Sequence, residues 1–556
     1  MLNLPDVNIL LANKLQIVTI AMVLRQILSV AKDENPEQLL LLLVGTAGTG
    51  KTYIVKVVTR IVRRIFDRNG AVLNLAPTGA SSVLLPNGRT MHSITPIPRN
   101  SRKKDLKNAQ LSDYPMSDSK LKVLRKITGT DNDRKVHLLN IDERGMTSHN
   151  DVAWCSQRMK EATENDNPFG GIPVVCWVGD HGQLGPVNAS DLHITPKSSA
   201  SPAEQAGFAL YRHFQNVIYL KETMRQGPDQ KPLLETLLRI RRGEIIQHDW
   251  ISINSRFIGD LPPEERCNFE HNNVITLCET WNEVDLENHK KLHELGGVVS
   301  IVPVVSKGSH MQGKYATKQG GQIPPRSLLA VGSRVILMKN QTGLTGHGLN
   351  NGAIGKVIAM IYDPDTSPPA FPRFVIVDFP NYKGPYWCRE NPTWIPIRPE
   401  DGFCDYMCCT RTGIPLMPGY SMPIAKSQGS TIGSKEQVTH LKLKLQKESN
   451  FETLCPGTTY TGLSRVDRNS SWALVEKIDW ARLSTINNHS TIQKRRDEDE
   501  RLDKRHETTV AKFDLSKLQF LELITEIDQF CNDGINDSVC KVQNNCSCIY
   551  CDEHLN

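Results

Sequence analysis

Gly45-Thr46-Ala47-Gly48-Thr49-Gly50-Lys51-Thr52 constrains this chain more than any other stretch. It follows the apolar run Leu39 to Val44, which reads as a buried parallel strand. It precedes Tyr53 to Phe66, which has helical periodicity and ends on Arg63 and Arg64. Strand, glycine-rich loop, helix is the context that makes G-x-x-x-x-G-K-[ST] a physical site rather than a string match. The glycines let successive backbone N–H groups converge on a polyphosphate, and the helix N-terminus adds partial positive charge. Lys51 would reach the β and γ phosphates, and Thr52 would offer its hydroxyl to Mg²⁺. The pattern therefore predicts a nucleoside triphosphate site, with Gly45, Thr46, Ala47, Gly48, Thr49, Gly50, Lys51 and Thr52 holding the cofactor.

At 556 residues the chain exceeds what one hydrophobic core supports, so several domains are expected. A net charge of +6 agrees with a nucleic-acid partner but is small for this length. No uninterrupted apolar run reaches bilayer-spanning length; the nearest, Leu15 to Ala31, contains Gln16, Arg25 and Gln26 and reads as an amphipathic helix, so no membrane partner is expected. No signal peptide is evident, and the early Asp6 argues against a mitochondrial presequence. The 14 cysteines are scattered over most of the chain, which favours free thiols in a reducing compartment.

A second strand is expected at Gly70 to Pro77, running into Thr78-Gly79-Ala80-Ser81-Ser82 and then Arg89-Thr90-Met91-His92-Ser93. Small and hydroxyl-bearing residues at a strand end suit close approach to a phosphate backbone, although a plain loop has the same composition. Residues 100 to 133 are polar, with Lys103, Lys104 and Lys107, and read as a surface excursion. Val136 to Ile141 is a strand ending in Asp142-Glu143; beside a phosphate loop, Asp142 would hold the Mg²⁺ water shell and Glu143 would polarise the attacking water. Ile172 to Val178 is a further strand, and Gln183 just past it is placed to sense a γ-phosphate. Gln16, upstream of the loop, could present an amide to an adenine edge, but on spacing alone a surface glutamine is the simpler reading.

Gly45 to Thr52, Asp142-Glu143 and Gly179-Asp180-x-x-Gln183-Leu184-x-Pro186-Val187, in that order, resemble superfamily-one DNA helicases of the Pif and RecD type. Pro168 to Ile172 resembles the signature segment of the Pif branch. Leu220 to Gln226, followed by Leu237 to Glu244, is similar to the family's fourth motif; Ile424 to Thr431 is similar to the fifth and Tyr460 to Val466 to the sixth. The resemblance covers roughly residues 10 to 475, and the mobile-element-associated, Helitron-like branch is the narrower candidate.

The resemblance implies an α/β fold: two RecA-like P-loop NTPase domains with parallel sheets, the ATP site between them, and a small SH3-like β insertion in the second domain. The expected divisions are 1–226 for the first domain, 227–299 and 413–486 for the second, 300–412 for the insertion and 487–556 for a charged linker and Cys-rich tail. By position Gln16 becomes the adenine reader. Lys51, Glu143, Gln183, Arg225 and Arg465 become the catalytic set, with both arginines reaching the γ-phosphate from the opposite side of the cleft. Thr52 and Asp142 would serve Mg²⁺. Pro77, Thr78, Gly79, Thr90, His92, Ser93, Lys426, Ser427 and Gln428 would hold single-stranded DNA. The implied function is an ATP-dependent helicase acting on single-stranded and tailed duplex DNA, moving 5′ to 3′, in repair, recombination or telomere maintenance. A nuclear location is expected, with a mitochondrial one as the alternative, and a monomer is favoured. The rivals are a DNA-binding mobile-element remnant with weak or uncoupled ATPase and an RNA-directed motor. Arg144-Gly145, His181-Gly182, Gly185-Pro186 and Ala425 depart from the family pattern, and the three glycines are expected to loosen the segments that couple ATP to DNA. Lys494 to Arg501 is a mixed-charge run, Leu515 to Phe530 has helical periodicity, and Cys548-x-x-Cys551 has zinc-like spacing without a regular upstream pair.

Overall fold

The computed structural model describes residues 12–96, 110–130, 134–186, 189–271, 273–308, 323–341, 343–344, 347–403, 409–433, 436–446, 451–513 and 515–537. Lys103, Lys104, Lys107, Cys540, Cys546, Cys548, Cys551 and His554 lie outside the described residues, and with them the zinc reading. The chain divides into two compact units. The first holds Met1–Asp229, Arg241–Gly243 and Asn488–Asn556; the second holds Gln230–Ile240 and Glu244–Asn487.

In the first unit the elements run α1 (Lys14–Ala31), β1 (Leu39–Gly45), α2 (Lys51–Ile65), β2 (Val72–Ala76), β3 (Arg89–Thr90), β4 (Leu138–Ile141), α3 (His149–Thr163), β5 (Val174–Gly179), α4 (Pro202–His213) and β6 (Asn216–Leu220). The strands form one parallel sheet in the order β3-β2-β4-β5-β1-β6. The leucine run explains the position of β1. Its successive side chains point to opposite faces, so Leu39, Leu41 and Leu43 enter one core and Leu40, Leu42 and Val44 the other. A strand apolar on both faces belongs inside a sheet covered on both sides. Helices α1 and α2 cover the first face, and α3 and α4 the second.

By length and composition α1 could cross a bilayer, but 61% of it is buried inside the protein, packed against α2 and the sheet. Within the polar excursion, Asp118–Thr128 forms a helix that buries Leu124 and Thr128, an apolar contribution too sparse to stand out in the sequence.

The second unit has β7 (Val274–Cys278) and α5 (Trp281–Glu294), followed by β8 (Arg334–Leu337), β9 (Ile354–Ile361), β10 (Phe374–Asp378), β11 (Trp394–Ile397) and β12 (Leu416–Pro418). It continues with β13 (Ser421–Pro423), β14 (His440–Lys444) and β15 (Trp472–Leu474). Strands β13-β7-β14-β15 make a four-stranded parallel sheet. Strands β11-β10-β9-β8-β12 make a five-stranded antiparallel sheet with its own core around Val335, Val357, Val375 and Val377.

The charged run, expected as a linker or an exposed helix, lies inside α6 (Ser490–Phe513), which is followed by α7 (Lys517–Asp537). Both helices belong to the first unit. Helix α6 lies along the edge strand β6, where Thr509 Oγ1 accepts from Val217 N (3.0 Å) and His506 Nδ1 from Tyr219 N (3.2 Å). Side chains of the helix thus satisfy the N–H groups that an unpaired edge would leave open. Helix α7 adds Phe520, Leu523, Ile524 and Ile527 to the core under α1 and α2.

Candidate functional site: the phosphate loop and its acids

The loop joins β1 to α2, so Lys51 is the first helical residue and the preceding amides precede a helix N-terminus. Gly48 and Gly50 sit at φ +85° and +84°, where L side chains are strained. Space is as restrictive: a Cβ on Gly48 would lie 2.5 Å from Arg225 Cβ, and one on Gly50 would lie 2.3 Å from Gln16 Nε2. Lys51 is half-buried, and its Nζ donates to the carbonyls of Gly45 and Thr46, both at 2.8 Å. Burial pushes the Lys51 ammonium below its ordinary value, opposed by the charges of Asp180, Glu143 and Asp142. Those three acids therefore share one field with Lys51.

Gln16 is not a surface residue. It is 2% exposed, its Nε2 donates to Thr49 O (3.2 Å), and its Oε1 accepts from Asn13 N (3.0 Å). Asn13 Oδ1 in turn accepts from Gln16 N, completing the capping box of α1. The side chain ties the phosphate loop to the start of α1.

Asp142 and Glu143 end β4, and β5 separates them from β1. Glu143 holds φ 55°, ψ 51°, an uncommon conformation for a residue with a side chain. Its N–H donates to Asp142 Oδ1 at 2.8 Å. Burial pushes the Asp142 carboxyl up, while that N–H and Lys51 pull it down.

Past β5, Asp180 is fully buried, and its Oδ1 accepts from Gly182 N (2.9 Å) and Arg241 Nε (3.1 Å). Burial alone would raise its carboxyl; Arg241, Lys51 and His181 hold it down at about 2. Gln183, in the same turn, is also buried, and its Oε1 has no hydrogen-bond partner. An unsatisfied buried amide oxygen calls for a reason, and a donor arriving with a ligand is one.

Sequence reasoning missed the group that holds this turn. Arg241 Nη1 donates to Asp499 Oδ2 (2.6 Å), and His181 Nε2 lies 2.9 Å from Asp499 Oδ1, which also accepts from Tyr219 OH (2.7 Å). Arg495 Nη1 donates to Gly182 O (3.3 Å), and its Nη2 faces Asp191 (3.3 Å). Asp499 and Arg495 come from α6, far away in sequence, so no local signal could mark them. The glycines expected to loosen this region are close-packed instead. A Cβ on Gly145 would lie 2.6 Å from Asp180 O, one on Gly182 2.4 Å from Arg241 Nε, and one on Gly185 2.3 Å from Asp191 Oδ1. Their φ values lie outside the left-handed region, so proximity and not backbone freedom calls for glycine.

Arg225 stands beside the loop in the loop's own unit: Met224 N donates to Gly48 O (2.7 Å), and the Arg225 charge is felt at Lys51. It does not come from an opposing domain. Arg465 belongs to the second unit and is 2% exposed. Its Nε donates to Thr461 O (2.9 Å), its Nη1 to Ser430 O (3.3 Å) and its Nη2 to Ser464 Oγ (2.7 Å).

Of the residues expected to hold DNA, Pro77, Thr78 and Gly79 follow β2, and Thr90 pairs with Ala76 at the end of β3. Thr78 caps the short helix Gly79–Val83 by accepting from Ser81 N (3.2 Å), and His92 and Ser93 are exposed next to Thr90. These residues gather at the carboxyl ends of two neighbouring strands. In the second unit, Ser427 and Gln428 are buried, and the Ser427 hydroxyl donates to Ile424 O (2.7 Å); Lys426 is half-buried.

Residues 19–249 match the family model of PIF1-like helicases. Curated relatives include the ATP-dependent DNA helicase PIF1 of Saccharomyces cerevisiae, 27% identical over 58% of this chain and 34% of that protein. The ATP-dependent DNA helicase Pif1 of Psychrobacter is 28% identical over 57% of this chain and 44% of that one. The chain thus spans about a third to under a half of the length of these relatives. Among solved structures, Pif1 helicase from Candida albicans superposes with a TM-score of 0.61 at 22% identity, covering 89% of this chain and all of that one. Pif1 helicase from Bacteroides in complex with ADP-AlF3 and ssDNA gives 0.57 at 20% identity, over 85% and 97%. The second likeness, like the first, is one of fold. Over residues 19–249 this chain is thus similar in sequence to PIF1-like helicases, and over most of its length its fold is that of the Pif1 helicase structures.

Proposed function

We propose that this chain is an ATP-dependent DNA helicase that moves along single-stranded DNA, 5′ to 3′, and separates the strands of tailed duplexes. One observation carries the reading: Lys51 lies in the common field of Asp142, Glu143, Asp180 and Arg225, where a glycine loop opens the N-terminus of α2. Lys51 and Arg225 would neutralise the transferring phosphoryl group, Glu143 would orient and deprotonate water, and Gln183 would donate an amide N–H to the γ-phosphate while its unpaired Oε1 accepts from that water. Arg465 keeps the catalytic role that the resemblance assigns it.

The donors suit magnesium. The Thr52 hydroxyl and the Asp142 carboxylate are hard oxygens, and a divalent cation would offset the buried charge that pushes Asp142 up. Among the described residues no group of three or more His, Cys, Asp or Glu could hold a metal alone, so the ion would come in on the nucleotide's phosphates. The Bacteroides Pif1 helicase was crystallised with ssDNA and with ADP-AlF3, and in this chain Thr78, Thr90 and Ser93 at the strand ends would offer hydroxyls to a phosphate backbone. A nuclear or mitochondrial role in repair, recombination or telomere maintenance, an SH3-like form for the antiparallel insertion and a monomeric motor belong to the same proposal.

The experiment is unwinding of 5′- and 3′-tailed duplexes with ATP and magnesium, beside DNA-stimulated ATP hydrolysis. Lys51→Ala is expected to bring hydrolysis to background. Glu143→Gln is expected to lower it about 10²- to 10⁴-fold while nucleotide still binds. Strand separation on neither substrate with hydrolysis intact would overturn the helicase reading, and RNA competing as well as DNA would redirect it.

A further inference from the structure

Outside the phosphate site, the second unit sets a half-buried cation with no counter-charge among the described residues against a partly exposed aromatic ring. Trp281, the first residue of α5, is 38% exposed and lines a cavity of about 750 Å³ together with Pro324, Arg326, Met417 and Ala425. The Lys426 ammonium sits 4.9 Å from the centre of the Trp281 ring. Its other described contact is Met338 Sδ at 3.9 Å, and no described carboxylate lies within ion-pair distance of it. A desolvated ammonium without a counter-charge is costly, and burial pushes Lys426 down to about 8. The acids of the cavity are occupied elsewhere. Arg482 binds Glu279 (2.5 Å), and Asp285 faces His289 and Arg326. In the same wall Asn288 accepts from Tyr420 N and Ser421 N (3.1 and 3.0 Å), while its own Nδ2 is buried without a partner.

A ligand that presents a flat π-face, an anion and oxygen acceptors together answers all three features, and a nucleotide of a single strand has that composition. A lone anion would leave the ring unexplained, and an apolar ligand would leave the lysine unpaired. We infer that Trp281 is a stacking platform for one base of single-stranded DNA, with the adjoining phosphate held by Lys426. The assignment rests on the proposed motor function and adds a contact that backbone recognition alone does not supply. Stacking on a π-face is indifferent to base identity, as a tracking motor requires.

Equilibrium binding of a labelled oligo-dT by the full chain, and of the same oligonucleotide made abasic, tests it. Trp281→Ala is expected to weaken oligo-dT binding about 5- to 100-fold, and Trp281→Phe to restore most of the loss. On the abasic strand the gap between wild type and Trp281→Ala is expected to close. The salt slope should stay the same for Trp281→Ala and fall by about 0.7 for Lys426→Ala. Trp281→Ala binding oligo-dT like wild type, or losing as much on the abasic strand, would overturn the stacking role and leave the motor function standing. A wild-type chain that binds no single-stranded DNA would overturn both.

Discussion

Gly182 shows how a single residue can be misread from sequence. A glycine where the resemblance leads one to expect a side chain suggests a slack segment, and slack predicts that alanine would stabilise the protein by about 0.4–1 kcal/mol through the unfolded chain. The structure predicts the opposite sign. The new Cβ would lie within 2.5 Å of Arg241 Nε and Cγ, on an arginine pinned by Asp180 and Asp499. Gly182→Ala is therefore expected to cost about 1–3 kcal/mol as overpacking, read as a lower urea midpoint. Gln16 carries a second residue-scale lesson. Its amide braces the loop through Thr49 O, so Gln16→Ala should raise the KM for ATP even with a nucleotide whose base offers no hydrogen bonds. An adenine reader alone would lose that effect when the base is changed.

At the scale of elements, helix α6 is the departure that matters. Its sequence, Lys494 to Arg501, looks like a solvated charge run because every residue in it is charged. Its inner face carries Arg495, Glu498 and Asp499, whose partners are His181, Asp191, Tyr211 and Arg241 in the first unit. Burial disfavours a charged Asp499, yet His181 and Arg241 hold its carboxyl far below the usual range. Removing that charge leaves Arg241 and His181 buried with one anion fewer. Asp499→Asn is expected to cost about 3 kcal/mol in urea unfolding. Because Arg241 also fixes Asp180, the variant should lower the ATPase kcat more than the KM. Unchanged stability and turnover would show the network to be incidental.

For the molecule as a whole, two half-buried histidines of the first unit set a pH window. His137, stacked on Phe66 with ring centres 3.8 Å apart, is pushed down to about 4 by burial, with Arg68 and Lys135 adding to it. His193 is pushed down to about 3 by burial and His181. An unfolded histidine takes its proton near pH 6.5, so these two contribute stability that is full above that value and is lost as pH falls toward 4. Asp180 behaves differently: its depressed carboxyl contributes above about pH 4 and fails only on approach to 2. The unfolding free energy is expected to drop between pH 6.5 and 4, and the His137→Gln, His193→Gln double variant to flatten the drop. A profile identical to wild type would exclude these two groups as its source. By itself the sequence determined the β1–loop–α2 unit, the acid pair ending β4 and the parallel sheet, because each is written in contiguous residues by period, glycine spacing and strand ends. Only the tertiary structure decided that α6 closes the edge of β6, that Arg241 and Asp499 hold Asp180, and that Gly145, Gly182 and Gly185 are sites of contact. Those facts depend on which buried charges and backbones meet across hundreds of residues, and a one-dimensional pattern carries no record of that distance.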